Sequence, residues 1–185
     1  MKEENAYILG TDTKELKRLG LQHQVWSSEA QAAYKSAGFG AGQTLLDLGC
    51  GPGFVTRELA FIVGDTGKVI GIDKSQAYIN HLNRDAEQNG LNIQGICSDF
   101  DDLQLTPKSL DGIYCRWAMA WIPNPQEIIH KLLHALKPGG KMVFHEYYDW
   151  STHQTEPALS GLNHAIAQCL KSFKEQPGDI DVGRY

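Results

Sequence analysis

Apolar residues in this chain gather in short runs that stop at glycine, separated by stretches in which they recur every three or four positions. Thr44-Leu45-Leu46-Asp47-Leu48 is the first run, with the near-continuous apolar character of a strand buried on both faces of a parallel sheet. Residues 54–63 follow with helical spacing (Phe54, Val55, Leu59, Ile62, Val63), closed by Gly64. The grammar then repeats. Lys68 to Asp73 reads as a second strand, and Ser75 caps a helix running to about Gln88, stopped by Asn89-Gly90. Ile93 to Cys97 and Asp111 to Arg116 are the third and fourth strands, the former weakened by Gly95. Asn124 is read as an N-cap, with Pro125 at the first helical position and Glu127 returning a bond to the cap. Ile128, Ile129, Leu132, Leu133 and Leu136 give that helix its apolar face, Pro138-Gly139-Gly140 turns the chain, and Lys141 to Glu146 is the fifth strand. At the start, residues 12–36 carry a looser stripe (Leu16, Leu19, Val25, Trp26, Ala30, Ala33), one helix or two with Gly20 as the interruption. Leu159, Leu162, Ile166, Cys169, Leu170 and Phe173 mark the clearest amphipathic helix, ended by Pro177-Gly178.

Strands alternating with helices argue for an α/β fold: a doubly wound, mostly parallel sheet with helices on both faces. Residues 1–40 are expected as a helical extension and 41–185 as the core. A net charge of −5 removes the general basic field that nucleic acid or acidic lipid would require. The opening Met1-Lys2-Glu3-Glu4-Asn5 does not lead into an apolar signal segment, so a cytoplasmic protein is expected. Cys50, Cys97, Cys115 and Cys169 are too widely spaced for a zinc pattern and read as unpaired thiols, three of them in or beside buried strands.

The chemistry gathers where strands end. Asp47-Leu48-Gly49-Cys50-Gly51-Pro52-Gly53 joins the first strand to its helix, the place where open α/β sheets bind ligands. The dinucleotide fingerprint would need a third glycine at Phe54, and no Gly-Lys-Ser/Thr follows for a nucleoside triphosphate. Asp73 ends the second strand, where a carboxylate accepts hydrogen bonds from a ribose diol, with Lys74 next to it. Asp99 and Phe100 follow the third strand, and Cys115, Arg116 and Trp117 close the fourth.

Asp47 to Gly53 resembles the first motif, E/D-x-G-x-G-x-G, of class I S-adenosylmethionine-dependent methyltransferases. The resemblance implies a Rossmann-like fold and S-adenosyl-L-methionine as cofactor. It places the ammonium of the methionine portion near Asp47 and wraps that portion with Gly49, Cys50, Gly51 and Gly53. It sets the ribose on Asp73 with Lys74 along the adenine, the adenine at Asp99 and Phe100, and the methionine end beside Cys115, Arg116 and Trp117 through backbone atoms. Leu136-Lys137-Pro138-Gly139-Gly140 resembles a structural turn of the same family. Tyr7 to Trp26 and Gly178 to Tyr185 resemble segments of its bacterial small-molecule branch, in which Tyr7 or Gln24 would reach the cofactor.

The expected reaction is methyl transfer to O or N of a small molecule, with neither nucleic acid nor membrane as partner. Trp26, Tyr34 and Tyr147 to Trp150, with Tyr7, are read as an aromatic surround for that acceptor. His145 and Glu146, at the end of the fifth strand, are the candidates for general base and orienting carboxylate. Alternation puts them on opposite faces. The family fold has seven strands and only five are read here, which leaves the fifth as an edge. A chain cut short, a natural truncation, or edges that pair across a homodimer would each account for that, and low turnover by these residues alone is expected. The alternatives are a catalytically inactive cofactor-binding or interaction module and, less in keeping with Phe54, an NAD-linked oxidoreductase.

Overall fold

The computed structural model describes residues 13–184. Five strands form one all-parallel sheet in the order β3-β2-β1-β4-β5: β1 (Thr44–Leu48), β2 (Lys68–Asp73), β3 (Ile93–Cys97), β4 (Leu110–Arg116) and β5 (Leu136–His145). The direction of winding reverses between β1 and β4, so a crevice opens beyond their carboxyl ends.

Helices cover both faces. Leu45, Val69 and Tyr114 pack against Ala30 and Tyr34 of α2 (Ser27–Ala37) and Val55, Leu59, Ala60 and Val63 of α3 (Phe54–Val63). The alternate residues Leu46, Leu48, Ile72, Ile113 and Cys115 pack against Ile128, Leu132 and Ala135 of α5 (Pro125–Ala135). Between β2 and β3 runs α4 (Gln76–Asn89), capped by the Ser75 hydroxyl accepting from the Tyr78 N–H and stopped by left-handed Gly90. The doubly wound architecture expected from the pattern is therefore the one observed. No helix among the described residues is long and apolar enough to cross a membrane.

Several local expectations are corrected. Of the one or two helices expected in the N-terminal stretch, two form, α1 (Thr13–Val25) and α2, but the break is at Trp26; Gly20 sits inside α1, close against the Phe54 ring. The apolar stripe of α1 is its inward face only in part: Leu16 and Leu19 are half-buried but Val25 is 65% exposed, whereas Glu15 is buried and paired with Arg18. Asn124 makes no side-chain cap, and Leu136 leaves the helix to begin β5. The Pro138-Gly139-Gly140 turn is absorbed as an irregularity in the pairing, which shifts from Leu110↔Leu136 to Gly112↔Lys141. Cys97 is exposed because β3 is an edge strand, and Tyr34 is core, donating to Glu58 at 3.2 Å. No strand pairs with the outer side of β5 among the described residues, and α6 (Ser160–Phe173) buries none of its residues fully.

Candidate active site

A cavity of about 610 Å³ occupies the crevice. Its walls come from the ends of β1 (Asp47, Gly49, Cys50, Gly51, Pro52), β2 (Asp73, Lys74), β3 (Asp99, Phe100, Asp101) and β4 (Arg116, Trp117, Ala118). They are completed by Trp121 to Pro123, by Tyr147 after β5, and by Arg18, Leu19, Gln22 and His23 of α1. Residues read separately from the sequence are thus brought to one open crevice. Of the cofactor and catalytic candidates, Gly53, Cys115, His145 and Glu146 do not line it, and Gln24 is exposed away from it. Of the expected aromatic surround Tyr147 lines it, Trp26, Tyr34, Tyr148 and Trp150 do not, and Tyr7 lies outside the described residues.

The glycine loop is built by backbone constraint. Gly49, Gly51 and Gly53 have φ of 72°, 53° and 94°, in the left-handed region that L side chains avoid. At Gly49 a Cβ would overlap that of Ala118, and at Gly53 it would overlap Leu82, so these two fix how closely the loop approaches β4's turn and α4. At Gly51 a Cβ would meet open space. Gly51 N–H donates to Asp73 Oδ2 at 2.8 Å, and Asp73 Oδ1 accepts from Ser75 N–H at 2.8 Å. That carboxylate therefore ties the loop to the start of α4 and also lines the cavity.

Burial raises the buried carboxylates. Asp47, 2% exposed, accepts from the Thr56 hydroxyl at 2.6 Å and is pushed up to about 6 by desolvation, with Thr56, Arg116 and His23 pulling the other way. Asp73 is raised for the same reason, against the pull of its two backbone donors.

The turn after β4 carries strain. Trp117 holds φ of 55°, uncommon for a bulky residue. Two residues at the end of β5 clamp it. Trp117 N–H donates to the His145 carbonyl at 3.1 Å, and Glu146 Oε1 accepts from the N–H groups of Ala118 and Met119 at 3.0 and 2.9 Å. Glu146 Oε2 is buried without a hydrogen-bond partner among the described residues, and burial pushes this carboxyl up to about 7. The His145 ring lies on the opposite face, its Nδ1 3.3 Å from the Tyr114 hydroxyl, with burial and then Arg116 holding its pKa below the usual histidine value. The expected opposition of the two side chains is observed, and both act visibly on the turn.

Aromatic rings line one end. Trp117 stacks on Tyr147 with centroids 5.6 Å apart and meets Trp26 edge-on at 5.7 Å; Trp121 lines the cavity and also packs on Phe173. The N-terminal stretch does reach the cavity, but through Arg18, Leu19, Gln22 and His23 instead of Gln24. Arg18, Gln22 and His23 are polar residues one turn or so apart, a signal of a helix covering a site instead of a core. His23 stacks on Phe54 at 5.6 Å and so ties α1 to the start of α3.

Residues 45–140 match a family model described as a methyltransferase domain. A ubiquinone biosynthesis O-methyltransferase of Coxiella burnetii is 35% identical over 104 residues, covering 56% of this chain and 43% of the relative. The "Uncharacterized 37.1 kDa protein in transposon TN4556" of Streptomyces fradiae is 32% identical over 134 residues, covering 70% of this chain and 38% of that protein. The chain thus spans less than half the length of these curated relatives. Among solved structures, a SAM dependent methyltransferase from Aquifex aeolicus shares the fold with a TM-score of 0.67 at 22% identity, covering 86% of this chain and 87% of that one. The glycine loop, the strand order and the match over half the sequence agree: the chain belongs to the class I S-adenosylmethionine-dependent methyltransferase family.

Proposed function

We propose that the chain binds S-adenosylmethionine in this cavity and directs its methyl group to the oxygen or nitrogen of a small molecule. The observation that carries the reading is the lining of the cavity: a carboxylate at the end of β1 (Asp47), one at the end of β2 (Asp73) and an acid–aromatic pair after β3 (Asp99, Phe100), around glycines bent to admit a ligand. The donor set fits the cofactor. Asp47 offers a buried acceptor for an ammonium, Asp73 for a ribose diol, Asp99 for the adenine amino group, and Phe100 a flat wall. Cys50 and Gly51 would follow the methionine portion, with Lys74 beside the adenine.

The cofactor supplies a methyl group already activated on a sulfonium, so the protein's part is alignment and exclusion of water. In this reading His145 and Glu146 serve as positioning residues, fixing the strained turn of Trp117 to Met119. A small acceptor is supported by the cavity's size, by Trp117, Trp121 and Tyr147 on its wall, and by the role of the Coxiella burnetii relative in ubiquinone biosynthesis. The net charge of −5 speaks against nucleic acid. A second reading, an inactive cofactor-binding module, is favoured by the absence of His145 and Glu146 from the lining.

The experiment is a single-turnover assay with protein in excess over methyl-labelled S-adenosylmethionine and a panel of small phenols and amines. Label on a small molecule supports transfer. Label retained wholly in the cofactor across the panel, with the cofactor bound, favours the second reading.

Asp47 also dictates a pH dependence. Its folded pKa is raised to about 6, so below that pH it is mostly protonated and a poor partner for an ammonium. Affinity for S-adenosylhomocysteine is expected to rise between pH 5 and 7 with release of a proton below pH 6, then to fall only at alkaline pH, where the ligand's amino-acid ammonium loses its proton. Calorimetry in buffers of different ionisation enthalpy reads that proton release; a flat profile from pH 5 to 7 would remove Asp47 from the ammonium site.

A further inference from the structure

Arg116 differs from the other cations of the cavity. Arg18 already holds Glu15 through Nε and Nη2, both at 2.7 Å. Arg116 has no carboxylate within ion-pair distance among the described residues. Its Nη2 donates to Nδ1 of His23 at 3.1 Å, which leaves the ring proton on Nε2, facing Glu58 Oε1 at 3.3 Å. Its guanidinium lies 4.9 Å over the Trp117 ring, so its plane is held. Its Nη1 is buried and has no hydrogen-bond partner among the described residues.

A guanidinium fixed on two sides, with a buried N–H left over, is an incomplete site. The group that completes it is planar, anionic and rich in acceptors: a carboxylate. The neighbouring strand strengthens this. Asp47 and Arg116 both line the cavity at the carboxyl ends of the paired strands β1 and β4, close enough for Arg116 to lower the pKa of Asp47. An acid and a base so arranged complement the two charges of an amino acid.

We propose that the Arg116 side chain is the carboxylate anchor of the cavity. This rests on the cofactor reading above and goes beyond it, because that reading used only backbone atoms at this position. The carboxylate has two sources, the methionine portion of the cofactor or an acidic acceptor, and the same chemistry serves both.

The test is calorimetry on the wild type, Arg116→Gln and Arg116→Lys, with S-adenosylhomocysteine and with 5′-methylthioadenosine, which lacks the amino acid. Benzoate is then titrated into the S-adenosylhomocysteine complexes. If the cofactor is the source, Arg116→Gln loses roughly 10- to 100-fold in affinity for S-adenosylhomocysteine and none for 5′-methylthioadenosine. If the acceptor is the source, both nucleosides bind unchanged and benzoate binding, present in the wild type, disappears. Arg116→Lys keeps the charge without the fork and falls between in whichever arm responds. The anchor is overturned if the two nucleosides weaken equally, as a merely structural role requires, or if no ligand responds. A wild type that binds neither nucleoside removes the cofactor reading and the anchor together; a wild type that binds the nucleosides, with Arg116→Gln indifferent to both nucleosides and to benzoate, removes the anchor alone.

Discussion

Asp73→Ala is expected to weaken S-adenosylhomocysteine binding by about 100-fold or more, the largest loss of affinity for any single side chain of the cavity. Asp73 is buried at 6% exposure, and each of its oxygens already holds a backbone N–H, one from the glycine loop and one from the entry to α4. In the cofactor reading it also receives two ribose hydroxyls. Hydrogen bonds to a charged acceptor contribute about 1.5–3 kcal/mol each, so the loss of two already exceeds a hundredfold. The truncation also frees Gly51 from its tether. Asp73→Asn separates these effects: one amide oxygen preserves part of the tether, and the ribose loses its charged partner. Calorimetry on the folded variants checks this, and an Asp73→Ala protein that binds as tightly as the wild type would remove the ribose from β2.

Gly49→Ala is expected to be the most damaging single methyl added to the site. The position has φ of 72°, and the new Cβ would overlap the Cβ of Ala118. The left-handed backbone costs about 1–2 kcal/mol and overpacking about 1–3 kcal/mol more, which for a chain this size lowers Tm by about 5–15 °C. The neighbour cannot give way cheaply. Ala118 is held by Glu146 through its own N–H, in a turn already strained at Trp117. Gly51→Ala is the control, because its Cβ would meet open space: the backbone penalty remains, overpacking does not, and the melting temperature should fall by less than half as much. Equal melting temperatures for the two variants would refute the close-approach argument.

These positions were legible in the sequence because strand ends and glycines leave strong local marks. The apolar run of β1 stops at Gly49, and β2 stops at Asp73, so two cavity-lining carboxylates are placed without any tertiary information. The bounds of α3 and β3 and the Ser75 cap were legible for the same reason. What resisted reading was whatever depends on an element's neighbours. The cavity face of α1 is mostly polar (Arg18, Gln22, His23) with Leu19 among them, while Val25 of the same apolar stripe is exposed. His145 and Glu146 were assigned by strand position to the reacting end. The adjacent turn consumes the His145 carbonyl and one oxygen of Glu146, a use set by three-dimensional pairing that no spacing reveals. The end of β4 at Arg116 is legible, but its Nη1, without a hydrogen-bond partner among the described residues, is seen only once His23 and Trp117 have packed around it.

The most direct measurement is a calorimetric titration of the unmodified protein with S-adenosylhomocysteine at pH 7, beside a titration with NAD. Saturable binding of one S-adenosylhomocysteine per chain, with no heat from NAD, is the result expected if the glycine loop, Asp47 and Asp73 hold a single nucleoside–amino acid ligand. A cooperatively folded sample that gives no heat with S-adenosylhomocysteine would contradict it.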